Sequence, residues 1–158
     1  MKKAPIPKNE KGRIKALEEY SILNSLPEQD YDNITKIASQ ICQTQISLVN
    51  LIGSTKEYVK SNYGIEKKGG PREYSFCAHA INEPSELFII PDTRKDERFV
   101  DNPTVISDPG IVFYAGVSLV NPQGYALGTL CVIDRAPKIL SEEQIDSLKA
   151  LAKQVVNL

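Results

Sequence analysis

Cys42, Cys77 and Cys131 are the only thiols in this sequence, and His79 is its only imidazole. Cys77-Ala78-His79 sets a thiol and an imidazole two residues apart, the ingredients of an activated thiolate. On a helix, residues two apart point to different sides, so the two side chains are not expected to pair directly. The reading is then a buried Cys77 and a His79 held by a backbone or carboxylate partner. One histidine also excludes multi-histidine metal sites and most triads. The cysteines are odd in number and lack CxxC spacing, so neither a disulfide framework nor a zinc site is suggested. Cys42 falls in an apolar helical stripe and Cys131 in a strand-like run, and both read as core.

The second place for chemistry is Asp92-Thr93-Arg94-Lys95-Asp96-Glu97-Arg98. Lys95 and Glu97 read as a solvated charged face. Asp92, Arg94 and Arg98 are candidates to orient a ligand or to clip the loop in place, because polar anchors beside an apolar surface are what small-molecule sites use. Gly69-Gly70-Pro71-Arg72-Glu73 is not a phosphate loop, since the Gly-Lys-Ser/Thr ending is missing. It also lacks the acidic pair that follows the glycines in a diguanylate cyclase loop.

These residues need a frame, and Phe113–Arg135 supplies its centre. It reads as two strands joined by Asn121-Pro122-Gln123-Gly124, a type I turn by composition. Phe113, Ala115, Val117 and Leu119 fall on one face of the first strand; Tyr114, Gly116, Ser118 and Val120 fall on the other. Neither face is cleanly polar, so the pair is expected in the middle of a sheet covered on both sides. Gly116 and Gly128 suit a close approach to the strand backbone. An earlier hairpin is expected over residues 46–63, with Gly53-Ser54-Thr55 as its turn. Residues 67–71 read as a loop, and 87–90 as a short strand stopped by Pro91.

The helices follow from periodicity. Residues 10–23 are helical in composition, with Ile14 and Leu17 on one side. Leu26-Pro27-Glu28 restarts a helix whose stripe is Tyr31, Ile34, Ile37, Ala38, Ile41 and Cys42. Ser75 can cap a short helix reaching about Asn82. Ser141-Glu142-Glu143-Gln144 is a capping box, followed by Ile145, Leu148, Leu151, Ala152 and Val155 down one side. The order of elements is that of an α+β domain with a largely antiparallel sheet.

The whole-chain properties set limits. At 158 residues one domain is expected, residues 10–158, behind a flexible arm over residues 1–9. A net charge of −1, no Trp and few aromatic residues give no case for nucleic acid or anionic membrane. No stretch reaches membrane-spanning length and no apolar leader follows the basic N-terminus, so the chain is expected in the cytoplasm.

Five stretches together resemble a GAF domain of the kind found at the front of bacterial signalling proteins. They are Arg13-Ile14-Lys15-Ala16-Leu17 through Leu26-Pro27-Glu28; residues 46–52; Arg72-Glu73-Tyr74-Ser75-Phe76-Cys77-Ala78-His79-Ala80-Ile81; Pro91-Asp92 through Asn102-Pro103; and Phe113-Tyr114-Ala115-Gly116 through Ile133-Asp134. The resemblance implies a GAF-like, PAS-related central antiparallel sheet. Residues 28–44 and 141–158 would cover one face. Residues 75–82 and 92–111 would form a lid over a pocket on the other. It further implies a non-catalytic sensory or regulatory module that binds a small molecule or partner, pairs as a homodimer, and signals through its terminal helices to an effector protein or fused effector domain.

The expected ligand-binding residues are Phe76, His79, Asp92, Arg94, Arg98, Phe99, Phe113 and Tyr114, with at least three of them lining one cavity. The cofactor is unknown. Two alternatives stay open. One is a thiol-dependent reductase of the free methionine sulfoxide type, although the cysteine spacing departs from that pattern. The other is a dimerisation module without a ligand. The cysteine–histidine pair of bilin-binding relatives is interrupted here by Ala78, and the Asp96-Glu97, Phe99 order reverses that of cyclic-nucleotide-binding relatives.

Overall fold

The computed structural model describes residues 2–23, 28–107 and 110–158. Its frame is one six-stranded antiparallel sheet. The strands are β1 (Ile46–Ile52), β2 (Lys56–Tyr63), β3 (Gly69–Pro71), β4 (Phe88–Ile90), β5 (Phe113–Val120) and β6 (Ala126–Asp134), in the order β3-β2-β1-β6-β5-β4. Both expected hairpins form, and β1 pairs with β6 at the centre. The turn 121–124 closes through Gly124 N–H to the Asn121 carbonyl, 2.9 Å, with Gly124 at φ +90°, where a side chain would be strained.

The alternation read from β5 and β6 decides which residues face which layer. Phe113, Ala115, Leu119, Leu130 and Val132 pack on one face, beneath α2 (Glu28–Cys42) and α5 (Glu142–Asn157). Tyr114, Cys131 and Ile133 pack on the other, beneath α3 (Phe76–Ala80), α4 (Pro103–Ile106) and the loops around them. Each fully buried Phe, Leu or Ile here contributes about 1.5–3 kcal/mol of transfer free energy. The ends of α3 and α5 are fixed locally. Ser75 Oγ accepts from Ala78 N–H, and Ser141 with Gln144 completes the capping box.

Three expectations need correction. Gly69–Pro71 is not a loop but the edge strand β3, paired with Lys56–Tyr58; the edge tolerates a proline because one side of that strand needs no donor. The helix after Ser75 is shorter than expected, ending at Ala80 with turns beyond it. The apolar stripe of α2 is wider than its buried face. Ile37 and Ile41 are 42% and 36% exposed, while Thr35 and Ser39 are buried. Thr35 bonds the Ser61 hydroxyl, and Ser39 donates to the Thr44 carbonyl, so these polar groups enter the interface already paired. The Leu26-Pro27 restart lies outside the described residues. α1 (Glu10–Leu23) crosses one end of the sheet, with Leu17 and Arg13 buried.

Candidate functional site

Five of the eight expected residues meet under the lid. The Phe76 ring stacks on Phe99 at 4.4 Å and on Tyr114 at 5.2 Å between centroids. His79 meets Phe99 edge-on at 4.8 Å. The Arg98 guanidinium lies 5.0 Å from the centre of the Phe88 ring and 5.4 Å from that of Phe99. α3 brings in Phe76 and His79, the turn after Asp96 brings in Arg98 and Phe99, and β5 brings in Tyr114. Phe88, on β4, completes the cluster at 5.9 Å from Tyr114. Nothing but its aromatic character in a short strand marked it in the sequence.

The other three lie elsewhere. Phe113 is on the helix-covered face, as strand alternation demands of a neighbour of Tyr114. Asp92 and Arg94 pair with each other at a surface turn. Asp92 caps the turn through Arg94 N–H and takes two hydrogen bonds from the guanidinium, at 2.9 and 2.8 Å. Those bonds hold the Asp92 carboxyl at about 2. Arg98 makes the same fork with Asp96, at 3.0 and 2.8 Å. Four surface cavities of about 330–530 Å³ lie away from this cluster, and none of the four is lined by any of the eight residues.

The N-terminal segment runs along the lid. His79 Nε2 donates to the Lys2 carbonyl at 3.2 Å, since a carbonyl can only accept. Asn82 donates to the Pro5 carbonyl at 3.0 Å, and Lys2 N–H to the Arg98 carbonyl at 3.3 Å. Lys3 pairs with Glu73 at 3.1 Å. The residues before α1 thus touch α3 and the Arg98 turn together. Burial lowers the His79 pKa, a backbone bond to Lys2 opposing it, and Arg98 nearby pushes the same way as burial.

Two polar groupings were not singled out from the sequence. The first lies between α3 and the sheet. Cys77 Sγ accepts from the Asn50 amide at 3.3 Å and the Thr129 hydroxyl at 2.9 Å, and lies 3.0 Å from the Tyr114 hydroxyl. Beside it, buried Glu57 accepts from the Ser75 hydroxyl and pairs with Lys67 at 3.0 Å. The available signal was a polar residue inside each apolar strand run, Asn50 in β1 and Thr129 in β6.

The second grouping joins α1 to the sheet. Glu10 bridges Arg13 and Arg72, which are 0% and 5% exposed. Arg13 also donates to the Ile52 and Ala126 carbonyls, and Arg72 to that of Gly53. Burial opposes the charge on Glu10, but hydrogen bonds from the two arginines outweigh it and lower the carboxyl pKa. The Glu10…Arg13 spacing on one helix face was the legible part; Arg72 is 62 positions away.

Among the described residues no group of three or more His, Cys, Asp or Glu side chains could hold a metal ion, and no helix is long and apolar enough to cross a membrane.

The family model of the GAF domain matches residues 27–157. A cyclic di-GMP phosphodiesterase of Pseudomonas aeruginosa is 33% identical over 153 residues, which is 96% of this chain and 26% of the relative. The chain therefore spans about a quarter of that relative's length. The GAF domain of an Acinetobacter phosphoenolpyruvate-protein phosphotransferase has a TM-score of 0.65 at 15% identity, covering 92% of this chain and 89% of that one. The type II free methionine-R-sulfoxide reductase of Thermoplasma acidophilum has a TM-score of 0.67 at 11% identity, covering 89% and 93%. At such identities the two structures share the fold with this chain.

Proposed function

We propose that this chain, which belongs to the GAF domain family, is a non-catalytic sensory or regulatory module with its ligand site at the lid cluster. The carrying observation is the convergence of Phe76, His79, Arg98, Phe99 and Tyr114 between lid and sheet. Apolar walls with a few charged groups at the rim are the usual make-up of a small-molecule site. The rings fill the space by stacking on one another, so a ligand enters by displacing Phe76 or Phe99 and moving α3. Tyr114 and Phe113 are neighbours on β5 and face opposite layers. A shift under the lid therefore has a short path through β5 to α2 and α5, and from there to a homodimer partner and an effector. The relative's name makes a cyclic di-GMP phosphodiesterase one effector of interest.

The test is native mass spectrometry of freshly purified chain, with a thermal-shift screen of small metabolites. Retained or stabilising ligands that are lost in Phe99→Leu and Arg98→Ala support the reading. The close ring stacking favours a second reading, a dimerisation module without a ligand. A dimer that carries no added mass and responds to no compound would put that reading in place of the first.

A further inference from the structure

The lid closes along a seam between two segments. α3 carries Phe76, the turn after Asp96 carries Phe99, and their rings stack at 4.4 Å where the segments meet. One residue from outside the lid spans that seam. The Lys2 carbonyl accepts from His79 Nε2 on α3, and the Lys2 N–H donates to the Arg98 carbonyl on the other side. Further contacts of the same segment fall on the α3 side. Lys3 pairs with Glu73, just before α3, and the Pro5 carbonyl accepts from Asn82, just after it. α3 therefore cannot draw away from the Arg98 turn without breaking one of the two Lys2 bonds.

The segment itself is lightly held. None of residues 2–9 is buried, and Ile6 is 60% exposed. A cavity of about 490 Å³ separates Lys3, Ala4 and Ile6 from Thr55, Pro71 and Arg72. Polar contacts and not packing keep the segment in place, and surface segments of that kind open locally at little cost. Its far end is fixed. The Pro7 carbonyl accepts from Glu10 N–H and that of Asn9 from Arg13 N–H, at the start of α1. Glu10 in turn bridges the buried Arg13 and Arg72.

We propose that residues 2–7 are a latch on the lid, and that their release is the step that lets Phe76 and Phe99 part. With the segment seated, Lys2 holds both sides of the seam and the aromatic cluster is shut. With it released, the ring stack alone joins α3 to the Arg98 turn along that seam. The segment hinges on α1, so opening of the lid is coupled to the first turn of that helix by a route that does not pass through the sheet. The latch deepens the ligand reading and rests on it for its use, since it controls entry to the same cluster.

Its experiment is run with no compound present, so that failure of the latch and failure of the ligand reading are told apart. Cys77 lies on α3 and is 2% exposed, whereas Cys42 is buried on the opposite face of the sheet. The native chain is treated with N-ethylmaleimide, and modification at each cysteine is followed by peptide mass mapping. Deleting residues 2–7 removes no buried side chain and lies outside the family match, which begins at residue 27. It should speed labelling of Cys77 about tenfold, the population change that one or two lost hydrogen bonds produce, and leave Cys42 at its wild-type rate. In the full chain, Lys3→Glu sets a carboxylate against Glu73 and should speed Cys77 about threefold; adding Glu73→Lys should reverse that. A Cys77 rate unchanged by the deletion, or Cys77 and Cys42 accelerating together as in global unfolding, would each overturn the proposal.

Discussion

The Tyr114 hydroxyl lies over Gly116, two residues along the same strand: a Cβ added to Gly116 would meet Tyr114 Oη at 2.4 Å. That hydroxyl reaches Cys77 because the strand has no side chain in its way. At Gly128 a Cβ would meet the Asn50 carbonyl at 1.9 Å, so this glycine serves the approach of the neighbouring strand. The close approaches expected at both positions are thus made by the protein's own groups.

Gly116→Ala should destabilise the fold by about 1–3 kcal/mol through overpacking against Tyr114. Tyr114→Phe alone should cost about 1 kcal/mol, for one lost buried hydrogen bond. The double variant should be less destabilised than the sum, because the clash is with the hydroxyl that Tyr114→Phe removes. Urea denaturation of the four proteins checks this, and strict additivity would show that the two groups do not compete for the space.

Glu10 should matter more than a surface glutamate. Glu10→Gln leaves Arg13 and Arg72 buried without their shared counter-ion, and a loss of about 2–4 kcal/mol is expected. The carboxyl is held below its unfolded pKa, so its contribution is present above the unfolded value and is lost as pH falls through the folded one. Wild-type stability should therefore fall more steeply than that of Glu10→Gln as pH drops below the ordinary glutamate pKa. Parallel slopes in thermal melts across that range would count against the bridge.

A parallel homodimer is expected, with a seam made from the outer sides of α1 and α5. Leu148, Ala152 and Val155 are used up inside the domain, while Ile145, Leu151 and Val156 are only partly buried. Analytical ultracentrifugation checks this, and a monomer at high micromolar concentration would remove the seam.

No catalytic turnover of free methionine sulfoxide is expected. His79, the sole imidazole, is bonded to the Lys2 carbonyl, and Cys77 faces Asn50, Thr129 and Tyr114 instead of a substrate cavity. An assay with a recycling reductant settles the point; multiple turnovers that vanish in Cys77→Ser, with that variant still folded by circular dichroism, would contradict it.

What the sequence by itself determined was local. The alternation of β5 and β6, the Ser75 cap and the Ser141–Gln144 box each rest on residues at most a few positions apart, where geometry follows from periodicity. Strand alternation also separated Phe113 from Tyr114 before either had a partner. Tertiary structure alone decided the rest. Asn50, Cys77, Thr129 and Tyr114 come from four elements, and Glu10 meets Arg72 across the chain. Gly69–Pro71 became a strand only because β2 offered it an unpaired edge. Ile37 and Ile41 stayed at the surface because the helix turned its small polar residues inward, to hydroxyl and carbonyl partners that exist only once the sheet and its loops are in place. Burial converts a polar residue into either a cost or a site, and which of the two it becomes depends on partners that one-dimensional spacing does not specify.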